Sequence, residues 1–104
     1  MIRTRPLALA GLAAMALALG AASAKDKVKV GFIGPLTGGV SANGLGGRNS
    51  ADLAVRLRNA DPKAKYEYEM ISYDDECKPN VAVQVATKMA ADNTIIAGAT
   101  HYCS

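Results

Sequence analysis

Val28-Lys-Val-Gly-Phe-Ile33 is a short β-rich run that breaks into a loop dense in Gly, Pro, Thr and Ser, reaching Asn43-Gly44, after which a helical pattern begins. An apolar strand that stops at small residues is how an α/β domain opens a ligand site at its sheet edge. Small residues also let backbone N–H groups approach a bound molecule without a Cβ in the way. The polar, alternating start at Lys25 and the apolar finish suit a strand entering a parallel sheet.

The same patterning continues along the chain. From about Gly44 to Ala60, Leu45, Ala51, Ala54, Val55 and Leu57 fall at helical spacings, with Ser41 or Asn43 as cap and an end near Asn59. Gly44, Gly46 and Gly47 in the first turn cost roughly 1 kcal/mol each, so they mark either a close approach or a longer loop. Lys65 to Tyr73 alternates Tyr and Glu before turning apolar, as a strand does. Pro79 suits a helix N1 position, and Val81, Ala82, Val85, Ala86 and Met89 carry one apolar stripe to about Asp92. A third strand begins at Thr94. The order is βαβαβ, a three-layer α/β fold with a parallel sheet, right-handed crossovers and the helices on opposite faces. Three strand-end loops, Gly34–Asn43, Tyr73–Cys77 and Ala99–Ser104, then share one sheet edge.

Ahead of this fold, Arg3 and Arg5 precede an unbroken Leu/Ala/Met/Gly run from Leu7 to Leu19, and Ala22-Ser23-Ala24 offers a cleavage site. Residues 1–24 read as a signal peptide cut before Lys25, with a membrane anchor the weaker reading of an Ala-rich run. Without Arg3 and Arg5 the twelve Lys and Arg become ten, against nine Asp and Glu, a net charge of about +1. No basic cluster with interleaved aromatics remains, which argues against nucleic acid as a partner.

An even cysteine pair, Cys77 and Cys103, in an oxidising compartment reads as a disulfide that restrains the unfolded chain by roughly 3–4 kcal/mol. The alternative, a metal pair with His101, has only His101-x-Cys103 locally. Asp74-Asp75-Glu76 precedes a helix start, where the macrodipole favours solvated negative charge; the spaced oxygen ligands of a Ca²⁺ loop are missing. No catalytic residue is assigned: Gly-x-Ser-x-Gly is absent and His101 has no nucleophile at a known spacing. Gly34-x₃-Gly38-Gly39 lacks the Lys-Ser/Thr of a phosphate loop, and Gly44-x-Gly46-Gly47 fails the dinucleotide spacing at Asn49. No cofactor or metal is expected.

Val28-Lys-Val-Gly-Phe-Ile-Gly-Pro-Leu-Thr-Gly38, Tyr73-Asp-Asp-Glu-Cys-Lys-Pro79, Val81-Ala-Val-Gln-Val-Ala86 and His101-Tyr-Cys-Ser104 together resemble the branched-chain amino-acid-binding proteins, periplasmic receptors of ABC importers with a type I two-lobed fold. The resemblance runs from Lys27 onward and covers the first part of that family's N-terminal lobe, so residues 25–104 are expected to be an incomplete first lobe. It implies a disulfide between Cys77 and Cys103. With strand order 2-1-3, their strands stand about 9–10 Å apart, and the loops must lean together to below about 7 Å.

The resemblance also implies that Ser104, beside Tyr102, binds a ligand carboxylate, and that Thr37 and Asn43 line the pocket. Charge-assisted hydrogen bonds let such a neutral loop hold an anion. Asn43 stands where relatives often have an aromatic side chain, which widens the implied ligand from branched-chain amino acids to a related amide. Lys78 replaces the family's usual Asp before Pro79, weakening the second helix's cap. The expected protein is a monomer in the periplasm delivering a small amino acid to an inner-membrane ABC permease. Alternatives are an exported ligand-sensing domain without a transport role, or a non-functional truncated copy.

Overall fold

In the computed structural model, residues 24–100, 102 and 103 are described. The expected signal peptide, up to residue 23, and His101 and Ser104 therefore lie outside the described residues. The chain runs β1 (Lys27–Gly34), α1 (Ser41–Ala60), β2 (Glu67–Asp74), α2 (Pro79–Ala91) and β3 (Ile95–Thr100). All pairings are parallel and the strand order is β2-β1-β3. The βαβαβ expectation holds, with each strand within two residues of its expected bounds.

The central strand β1 pairs with β2 in continuous register from Lys27↔Glu67 to Gly34↔Asp74. Its pairing with β3 slips once: Lys29 faces Ile95 but Val30 faces Ala97, so Ile96 is an extra residue. Such a bulge leaves one residue unpaired and bends the strand. On the outer edge of β2 a side chain substitutes for a neighbouring strand. Asn59 donates from its amide to the Tyr68 carbonyl and accepts from the Tyr68 N–H, both at 2.8 Å.

Successive β1 residues point to opposite faces, and the helices divide accordingly. A Cβ on Gly31 would collide with Met89 of α2, whereas Phe32 lies beside Gly47 of α1. Ile33, 1% exposed, is buried at the end of β1 next to buried Pro35. The expected α2 stripe is correct: Val81, Ala82, Val85, Ala86 and Met89 are all half-buried.

Two expectations for α1 need correction. Leu57 is 64% exposed and does not share the packed face. At 3.6 residues per turn, two positions from half-buried Val55 bring it almost to the opposite side. Leu45, 36% exposed, is not buried in that face either. Neither Ser41 nor Asn43 caps the helix; the cap position is Val40, with no side-chain bond. The start is closed by backbone instead, Ser41 N–H donating to the Gly38 carbonyl at 3.2 Å and Gly44 N–H to Val40 at 3.3 Å. The glycine-rich turn is helix rather than loop. Gly44 is buried because a Cβ there would run into the Pro35 carbonyl, a close approach only glycine permits.

Candidate functional site: a cleft at the strand ends

The C-terminal ends of β1 and β3 and the first turn of α1 enclose a cleft of about 230 Å³ lined by Phe32, Asn43, Gly44, Gly47, Thr100 and Tyr102, among others. Ligand pockets for drug-sized molecules run about 300–1,000 Å³, so this one suits a smaller guest. Its walls follow from the sequence. β1 contributes Phe32 on the α1 face, the absence of side chains at Gly44 and Gly47 makes room, and α1 projects Asn43 from its first turn. The Asn43 amide donates to the Tyr102 hydroxyl, bridging two segments far apart in sequence at the mouth of the cleft.

Of the expected site residues, Asn43 and Tyr102 are thus brought together. Thr37 sits on the same loop but is absent from the cleft lining; its hydroxyl donates to Asp74 Oδ2 at 2.5 Å. Cys77 and Cys103 form the disulfide, with a Cα separation of 5.6 Å across a sequence gap of 26. The loops do lean together over the end of β1, inside the distance that geometry demands.

The acidic triplet behaves differently from solvated helix-start charge. Asp74 Oδ1 accepts the Leu36 N–H at 2.8 Å, the Thr37 N–H at 3.4 Å and the Glu76 N–H at 2.9 Å. Partial burial pushes its pKa up, but the Thr37 hydroxyl and the Glu76, Leu36 and Thr37 amides outweigh that and hold it below the ordinary carboxylate value. Asp75 is 2% exposed, and its Oδ1 accepts the Cys77 N–H at 2.9 Å. These bonds hold Glu76 and Cys77 at φ of 52° and 57°, left-handed conformations uncommon for residues other than glycine. Short acidic side chains that bond two residues onward make such turns. None of Asp74's hydrogen bonds goes to α2, whose cap position is Lys78 with no side-chain bond.

Sequence reasoning placed the Tyr73–Cys77 and Ala99–Ser104 loops at this edge but gave no role there to Asp74, and named neither Phe32 nor Thr100 as lining. A carboxylate at a strand end is compatible with many roles, and no local pattern points to partners 37 and 38 positions away.

A family model described as periplasmic binding protein matches residues 27–100. The chain is 38% identical over 100 residues to the leucine-, isoleucine-, valine-, threonine- and alanine-binding protein of Pseudomonas aeruginosa, covering 94% of this chain and 25% of that protein. It is 35% identical over 85 residues to the leucine-specific-binding protein of Salmonella typhimurium, covering 81% of this chain and 22% of the relative. The chain thus spans about a quarter of the length of the curated relatives it matches. With its parallel β2-β1-β3 sheet and strand-end cleft, it belongs to the periplasmic binding protein family.

Proposed function

We propose that the chain is the first part of the N-terminal lobe of a receptor that captures a small amino acid, or a related amide, for import through an inner-membrane ABC permease. In this reading residues 1–24 are the export signal, residues 25–104 lie in the periplasm as part of a monomer, and the site does no chemistry on its guest. The observation that carries it is the small cleft at the strand ends, with Asn43 and Tyr102 hydrogen-bonded across its mouth. An uncharged wall of this kind can hold a zwitterion by directed hydrogen bonds while leaving room for a compact side chain. Ser104, next to Cys103, is the proposed carboxylate contact, and Thr37 shapes the loop on the other side. The names of the relatives support the ligand class, one covering branched-chain amino acids together with threonine and alanine.

The test is calorimetric titration of the full native gene product, freed of endogenous ligand, with each common amino acid and its amide. Saturable binding at one site per chain by a small aliphatic or hydroxylated amino acid is expected. Flat heats throughout would overturn the proposal. Mass spectrometry of the periplasmic fraction should find the mature N-terminus at Lys25.

A further inference from the structure

We propose that Asp74 is a positioning residue that sets the binding loop from beneath, through Leu36 and Thr37; the proposal rests on the amino-acid-binding reading above. One carboxylate gathers four donors, the N–H groups of Leu36, Thr37 and Glu76 and the Thr37 hydroxyl. Three of the four come from the segment that leaves β1, 37 or 38 positions earlier in the chain. Among the described residues, that segment has no strand or helix bonds of its own before Gly38, whose carbonyl receives the Ser41 N–H that starts α1.

The geometry therefore forms a closed circuit around the cleft. Asp74 holds Thr37; Thr37 leads through Gly38 and Ser41 to Asn43; Asn43 donates to Tyr102. Tyr102 adjoins Cys103, which is bonded to Cys77, three residues beyond Asp74. Among the described residues, only the Asp74 link crosses directly from the β2 end to the β1 loop by side chain. It requires a carboxylate: an amide offers one acceptor oxygen where these donors use two.

The experiment compares the full native gene product with its Asp74→Asn, Thr37→Val and Asp92→Asn variants. Asp92 is a matched control, since its carboxylate also accepts a backbone N–H and a hydroxyl, both from Thr94, but at the opposite end of the sheet. Affinity for the amino acid identified by titration should fall roughly tenfold to a hundredfold in Asp74→Asn. It should fall in Thr37→Val too, and stay within about twofold of the parent in Asp92→Asn. Amide exchange in the unliganded protein supplies a readout that needs no ligand: the Leu36 and Thr37 amides should exchange at least about tenfold faster in Asp74→Asn, with β1 amides unchanged. Unchanged exchange at Leu36 and Thr37 would overturn the clamp. Faster exchange with undiminished affinity, or an equal affinity loss in Asp92→Asn, would overturn its positioning role. If the parent binds no amino acid, the functional reading fails while the exchange measurement still decides whether Asp74 orders the loop.

Discussion

Gly44 and Gly46 sit two residues apart in one helix, and their surroundings give them opposite requirements. A Cβ on Gly44 meets the Pro35 backbone, whereas one on Gly46 meets nothing within 4 Å. Gly44→Ala should destabilise the protein by about 1–3 kcal/mol through a forced backbone shift. Gly46→Ala should stabilise it by about 0.4–1 kcal/mol, because glycine in a helix interior loses more chain freedom on folding. Urea unfolding of both variants checks the pair. The glycine cluster was visible in the sequence, but which glycine is obligatory depends on where the chain leaving β1 passes, and no spacing rule specifies that. Asp74 and Asp92 both have folded pKa values lowered from 3.8, Asp92 chiefly through the Thr94 hydroxyl and amide. A lowered carboxylate pKa contributes stability that is present above the unfolded value and is lost as pH falls through the folded value. Stability should therefore drop as pH descends below about 3.8. Asp74→Asn and Asp92→Asn should each flatten that acid limb when unfolding free energy is measured against pH.

Among the elements, β1, β2 and α2 were legible almost to the residue. Alternation marks the strands, and Pro79 starts α2 where its missing N–H costs nothing. α1 was legible as a helix but not in its packed face, because Ala, Leu and Val occur nearly all round it. The least predictable element is β3, whose bulge at Ile96 depends on its partner rather than on its own residues. β3 is also the strand whose end is secured by the disulfide, through Cys103. Replacing both cysteines by serine should cost about 3–4 kcal/mol in the chain-entropy model, measured by denaturant titration. Amide exchange should rise first at β3, with the β1–β2 pairing the last to open.

At the scale of the whole molecule, protection is graded across the sheet. β1 has a strand on each side and a helix over each face, while β3 is open from Ile96 to Thr100 and Ile96 is 64% exposed. Native-state hydrogen exchange should order the strands with β1 slowest and β3 fastest, since opening free energy follows buried contact. Parallel order and right-handed crossovers made this layering readable in advance. The closing of the cleft was not, because it depends on Asn43 and Tyr102 meeting across a sequence gap of 59. The disulfide arching over the end of β1 has one further consequence, in mechanics. A load drawn between Lys27 and a point beyond Cys103 bypasses the ring of 26 positions that holds α2 and β3. Stretched under oxidising conditions, the chain should yield about 90 Å less contour length than after reduction, at about 3.5 Å per extended residue.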